Sequence, residues 1–234
     1  MFNGKRINLV LPCYNEEKGL SALLTQKPSF IDIVTVVDNN STDQTSTIAR
    51  QFGAKVVLVQ KKGYGLACQA GVLEASSADI TIMMDGDNTY PINEIENILN
   101  IMEKNHYDFI SGCRFPLKDK KAMPIIKQFS NRIISGLIRS FFHIPLIDSQ
   151  SGMIIFKSHL TKSILSLNPG MGFSQEIKIK ACTNPSIKSA EVLITYAVRS
   201  GEVKFRALQD GMKVLSDLMV YKFKNINVFN IQTV

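Results

Sequence analysis

The chain of 234 residues contains no stretch of about 18 consecutive apolar residues, so nothing in it reads as a transmembrane helix. No N-terminal secretory pattern is present either: Lys5 and Arg6 precede a short apolar run that Pro12 is expected to cut short. Four cysteines (Cys13, Cys68, Cys113 and Cys182) lie far apart, form no C-x-x-C pair, and read as buried thiols in a reducing compartment. The three histidines (His106, His143, His159) cluster with nothing and read as structural. There is no internal repeat and no low-complexity segment. These absences lead to the expectation of a cytoplasmic protein, peripheral on the cytoplasmic membrane face if it meets a membrane at all.

What is present describes an ordinary globular chain, 45% hydrophobic and 20% charged, which excludes wholesale disorder. Its net charge of +7 is unevenly spread. Met1 to Ile110 carry 9 Lys/Arg against 13 Asp/Glu, and Ser111 to Val234 carry 18 against 7. A basic C-terminal half suits a phosphate-bearing partner or an anionic membrane surface.

Strand and helix signals alternate through the first hundred residues. Strands are expected at Ile7–Leu11, Ile33–Asp38, Lys55–Val59, Ile80–Met84 and Phe109–Gly112. Helices are expected between them, one with Ser41 as N-cap and Gln44 completing a capping box, another capped by Asn93. This order predicts a mostly parallel sheet with helices on both faces. Beyond Gly112 a basic linker leads to a helix over Ile125–Phe142, a strand at Gly152–Phe156, a helix to Leu167, a Gly-rich turn, a helix near Gln175–Ala181, a strand at Val192–Val198 and a closing helix over Phe205–Tyr221.

Ligands of open α/β sheets bind beyond the carboxyl ends of the strands, and polar residues gather there. Asp85-Gly86-Asp87 follows an apolar strand, so two carboxylates share one turn at the rim, where hard oxygen ligands can hold Mg²⁺ or Mn²⁺. Gly86 suits a backbone that passes close to a ligand. Asp38 ends the second strand and could accept hydrogen bonds from a ribose or base, with Ser41 nearby. Gly63-Tyr64-Gly65 opens a helix with free N–H groups; it is not G-x-G-x-x-G, so a nicotinamide-binding fold is poorly supported.

Taken together, Pro12-x-Tyr14-Asn15-Glu16, Val37-Asp38-Asn39-Asn40-Ser41, Gly63-x-Gly65, Asp85-Gly86-Asp87, Gly112-x-Arg114, Asp148-x-Gln150-Ser151-Gly152 and Arg199-x-Gly201-Glu202-x-Lys204 resemble family 2 glycosyltransferases of the GT-A fold. Dolichyl- and polyprenyl-phosphate mannose or glucose synthases are the nearest likeness. The resemblance implies a Rossmann-like, mostly parallel sheet flanked by helices, with C-terminal amphipathic helices. It implies one domain over residues 1–224, nucleotide-sugar-binding over 1–112 and acceptor-binding over 113–224, with a tail at 225–234. Pro12, Tyr14, Glu16, Asp38, Ser41, Gly65, Asp85 and Gly86 would bind the nucleotide sugar, and Asp85 and Asp87 the metal. Arg199 and Lys204 would close over the diphosphate, and Arg132 and Ser135, with Arg114, would receive an acceptor phosphate. Asp87, Asp148 and Arg114 are the catalytic candidates, with Asp148 or Glu176 available as base or to orient the acceptor. The chain departs from the family at Asn39, where an acid is common, at Thr89, sometimes a third metal ligand, and at Val203, where serine is usual.

Ile125, Phe129, Ile133, Leu137 and Phe141 recur every four residues, with Lys127, Arg132 and Arg139 on other faces. Such a helix can lie at a membrane interface or pack as core. The expected function is inverting transfer of a hexose from a GDP- or UDP-sugar to a polyprenyl phosphate. Transfer to a sugar hydroxyl of a cell-surface polysaccharide is the alternative, and a non-catalytic nucleotide-sugar-binding module is a third. No nucleic-acid partner is expected; a membrane protein or a second copy of the chain are further candidate partners.

Overall fold

The computed structural model describes residues 1–199 and 207–229. Seven strands form one sheet: β1 (Ile7–Cys13), β2 (Ile33–Asp38), β3 (Lys55–Leu58), β4 (Ile80–Met83), β5 (Phe109–Cys113), β6 (Ile154–Lys157) and β7 (Ser189–Leu193). Eight helices accompany them: α1 (Glu17–Thr25), α2 (Thr45–Gln51), α3 (Tyr64–Glu74), α4 (Ile95–Lys104), α5 (Ile125–Phe142), α6 (Thr161–Ile164), α7 (Phe173–Thr183) and α8 (Ala207–Phe229). The strand order is β3-β2-β1-β4-β6-β5-β7.

Alternation along the central strands sends apolar side chains to both faces, as a sheet covered by helices on either side requires. Leu9, Leu11 and Val36 meet Leu20 and Leu23 of α1 and Ile95, Ile98 and Leu99 of α4. Val10 and Val37 point the other way, onto Cys68 and Val72 of α3, in the layer that holds Phe173 and Ile177 of α7. Phe109, Phe156 and Phe173 are among the largest fully buried side chains, each contributing about 1.5–3 kcal/mol by leaving water. A third cluster joins α5, α7 and α8 through Ile134, Ile138, Ile179, Val214 and Leu218.

One strand direction decides where the site falls. β6 runs antiparallel between β4 and β5, pairing Ile154 with Met83 and Ser111. Its start therefore lies beside the ends of its neighbours, so the loop Asp148–Gly152 reaches the same rim as Asp85-Gly86-Asp87 and Arg114.

Several expected boundaries move. β1 does not stop at Pro12 but continues to Cys13; its pairing with β4 ends at Val10, so beyond that residue only β2 flanks it and the missing N–H costs little. The capping box at Ser41 does not form: α2 begins at Thr45 without a side-chain cap, and the Ser41 hydroxyl instead accepts from the Asn15 backbone N–H at 3.0 Å. Asn93 lies in a 3-10 turn ahead of α4. α6 ends at Ile164, short of Leu167. The last strand is Ser189–Leu193, because β5 ends at Cys113; the chain then leaves the sheet, and Ala197 N–H donates to the Thr89 carbonyl at 2.9 Å. α8 runs to Phe229, past residue 224.

Candidate active site

Three loops turn at the rim through left-handed asparagines, Asn15, Asn40 and Asn88, with φ of 52°, 63° and 62°. Asparagine tolerates this region better than other non-glycine residues. Side chains then tie the loops together. The Asp38 carboxylate accepts from the Ser41 N–H at 2.8 Å and from the Ser46 hydroxyl. Asn39 donates to the carbonyls of Val59 and Lys61 at 3.1 and 2.9 Å and accepts from the Gly63 N–H at 2.7 Å. A carboxylate could not donate those two bonds, which accounts for an amide at Asn39.

These loops wall a cavity of about 560 Å³, lined on one side by Pro12, Tyr14, Glu16, Asn39 and Lys62 and on the other by Gly170, Met171 and Lys213. Lys62 donates to the Tyr14 hydroxyl at 2.6 Å. A second cavity, of about 210 Å³, lies between Tyr90, Arg114 and Tyr196 and the helices α5 and α8, which contribute Lys127, Asn131, Ile134 and Val214. Tyr64, Asp85, Asp87, Met171 and Arg199 line both, so the two cavities meet at the acidic pair.

At that junction the two acids differ. Burial, and then the charge of Asp87, push the half-buried Asp85 carboxyl up to about 7, while the Tyr64 hydroxyl donates to it at 3.0 Å. Burial and Asp85 raise the Tyr64 hydroxyl well above its ordinary range, which keeps it a donor. Asp87 is buried; its Oδ1 accepts from the Thr89 N–H and hydroxyl at 3.1 and 2.6 Å, and its Oδ2 from Arg199 at 2.6 Å. Thr89, at the position of a sometime metal ligand, thus holds Asp87 in place. Two hard carboxylates opening on both cavities fit a Mg²⁺ or Mn²⁺ ion. Among the described residues no group of three His, Cys, Asp or Glu could hold a metal, so other positions would fall to a diphosphate and water.

Under the second cavity lies a buried charged network. Arg114 donates to Asp148 through Nε, Nη2 and its backbone N–H at 2.7, 2.8 and 3.0 Å, and Asn131 adds a fourth bond at 2.7 Å. Burial alone would raise the Asp148 carboxyl, but Arg114 outweighs it and holds the group at about 2. Lys178, pushed down to about 8 by burial, donates to the carbonyls of Asp148, Ser149 and Ser151 and fixes the loop's backbone.

The expected site residues divide accordingly. Pro12, Tyr14, Glu16, Asp85, Gly86, Asp87 and Arg199 line the first cavity, and Arg114 lines the second. Asp38 and Ser41 do not line the first; they brace its loops from behind. Gly65 is a packing position: a Cβ there would stand 2.0 Å from the Asn168 carbonyl oxygen. Gly86 lies against the Cys13 sulfur, where a Cβ would meet it at 2.3 Å. The acceptor-phosphate pair separates. Ser135 is fully buried with its hydroxyl bonded to Asn131 and Ser149, and Arg132 lies on the exposed face of α5. Glu176 accepts from Ser166 and Asn168 and holds that loop. Lys204 lies outside the described residues. The structure adds Lys62, Tyr64, Tyr90, Tyr196 and Lys213 to the cavity walls; Lys62 and Tyr64 belong to the polar end of the third strand, while the other three carry no local signal in the sequence.

A sequence profile described as Glycosyl transferase family 2 matches residues 9–161, the stretch that contains Asp85-Gly86-Asp87 and the loop Asp148–Gly152. The chain belongs to that family. An uncharacterized glycosyltransferase of Mycobacterium tuberculosis is 29% identical over 198 residues, covering 85% of this chain and 88% of its own. A dolichyl-phosphate hexose transferase of Haloferax volcanii is 29% identical over 208 residues, covering 88% and 89%. Glucosyl-3-phosphoglycerate synthase of M. tuberculosis, solved with Mn²⁺, UDP and glucosyl-3-phosphoglycerate, shares the fold with a TM-score of 0.73 at 20% identity, over 93% of this chain and 80% of that one. The molecule is therefore a glycosyltransferase of GT-A fold that uses a nucleotide sugar, and the first cavity is the candidate donor site.

Proposed function

We propose that this glycosyltransferase moves a hexose, with inversion, from a GDP- or UDP-sugar to a polyprenyl phosphate at a membrane surface. The observation that carries the reading is the double face of α5. Inward, Lys127, Asn131 and Ile134 line the second cavity. Outward, Ile125, Ile126, Phe129 and Ile133 are exposed by 82%, 54%, 63% and 46%. The apolar stripe expected from the sequence is thus largely turned to solvent, beside the cavity, with basic residues around it. That arrangement suits an anionic bilayer delivering a lipid headgroup. No helix of the described residues is long and apolar enough to cross a membrane.

The chemistry of the cavity agrees. Among the described residues its lining cations are Arg114, Lys127 and Arg199, and its lining carboxylates are Asp85 and Asp87. A phosphate acceptor is already anionic at neutral pH and needs no base. Asp148, saturated by four donors, serves in this reading as the positioning partner of Arg114. One phosphate oxygen forms the bond to the anomeric carbon as the bond from that carbon to the diphosphate breaks on the opposite face. A divalent ion held by Asp85 and Asp87 supplies charge stabilisation for the departing diphosphate. Arg199 meets the same charge, and Lys204 belongs to the same motif.

The test is transfer of labelled hexose from UDP- and GDP-sugars, with Mn²⁺ or Mg²⁺, to polyprenyl phosphate and to oligosaccharides in parallel. Label in the lipid phosphate is expected. Label confined to oligosaccharide overturns the acceptor.

A further inference from the structure

Arg199 stands where a cation is wanted. Its Nη1 donates to Asp87 Oδ2 at 2.6 Å and its Nη2 to Glu16, so one guanidinium bridges the acidic junction and the donor wall. The carboxylates it joins are only 5% and 10% exposed, against 26% for the arginine. Buried anions need a counter-charge, and the bridge supplies one to both. It does so incompletely for itself, since Arg199 Nε is buried with no partner among the described residues.

The decisive detail is which oxygen it takes. Asp87 Oδ1 is committed to the Thr89 N–H and hydroxyl, so Oδ2 is the oxygen left to face a cation. A divalent ion held by the pair would therefore contend with the Arg199 guanidinium for Asp87.

We infer that Arg199 is the internal counter-ion of Asp87 and Glu16, and that it competes with the divalent metal for Asp87. Arg199 leaves the carboxylates when metal and donor bind together, because the donor diphosphate offers it a new anion. The inference rests on the reading of Asp85 and Asp87 as the metal pair. It has a thermodynamic consequence. Metal alone must displace the arginine without compensation, whereas metal with nucleotide does not, so the two ligands favour one another through this side chain.

The experiment is calorimetry of Mn²⁺ binding to the full chain, with and without UDP or GDP, for wild type, Arg199→Gln and Arg199→Lys. Arg199→Gln is expected to bind Mn²⁺ alone about tenfold more tightly, a modest share of the Coulomb energy between charges a few ångströms apart. The gain in nucleotide affinity that Mn²⁺ confers is expected to shrink in the same variant. Arg199→Lys keeps the charge as a single point on a shorter reach and loses the planar two-pronged fork, so it should fall between; it carries the test if circular dichroism finds Arg199→Gln unfolded. Mn²⁺ affinity no tighter in either variant, with coupling to nucleotide unchanged, overturns the competition. Asp87→Asn separates this from failure of the metal reading. If Asp87→Asn binds Mn²⁺ as wild type does, the acidic pair is not the metal site and both readings fall.

Discussion

The two cavities that meet at Asp85 and Asp87 are built by different means. The donor side is a set of short loops at consecutive strand ends, laced by hydrogen bonds such as those of Asn39 to Val59, Lys61 and Gly63. The second cavity, which we propose takes the acceptor, is assembled from distant segments: Arg114 after β5, Asp148 before β6, Asn131 on α5 and Val214 on α8. Loops that follow strands inherit their place from the sheet. The second cavity instead depends on one buried ion pair to hold a loop and a helix together, so damage there should cost most in stability, whereas damage around the first cavity should cost less and weigh more on binding.

The largest expected effect tests that contrast. Asp148→Ala leaves Arg114 buried without its counter-ion and is expected to cost about 3–5 kcal/mol, read by urea unfolding. Unchanged stability would remove the structural role given to the pair. Asp87→Asn, at the junction, should lower transfer by about 100- to 1000-fold with melting little altered. Wild-type rates in that variant would take the acidic pair out of the chemistry.

Acid unfolding sharpens the comparison further. The folded Asp148 carboxyl, at about 2, lies below its unfolded value near 3.9, so its stabilisation is present above pH ~4 and lost as pH falls through ~2. The amount is about 2–3 kcal/mol for a shift of this size. The slope of stability against pH over that window should flatten in Asp148→Asn; an unchanged slope would mean that other carboxylates carry it. On the donor side Asn39→Asp removes two donated bonds to loop carbonyls and should cost about 1–3 kcal/mol, with a raised KM for the donor. A KM unchanged beside a lower melting point would make Asn39 a fold residue only.

The same division governs what could be read from residues alone. Strand β2 and helix α5 fall at their expected limits, Ile33–Asp38 and Ile125–Phe142, because apolar runs and periodicity are local. The acidic pair was legible for the same reason, being a turn after a buried strand. The differences arise where a partner elsewhere decides. Ser41 looked like a helix cap because nothing local says that Asn15 claims its hydroxyl. Ser135 and Arg132 share a helix with the acceptor cavity yet point away from it, since Ser149 takes the one and solvent the other. For Asp148 the residues alone leave open a base or an orienting carboxylate, because the sequence does not disclose the arginine folded against it.

The smallest expected effect on stability bears most directly on the acceptor. Ile125→Ser with Phe129→Ser replaces exposed side chains, so melting should change by no more than about 0.5 kcal/mol. The decisive measurement is this double variant's initial rate with long-chain polyprenyl phosphate in anionic vesicles, set against its rate with a short, water-soluble prenyl phosphate. The account predicts a large loss on vesicles and wild-type rates in solution. Equal rates on vesicles for variant and wild type would contradict it.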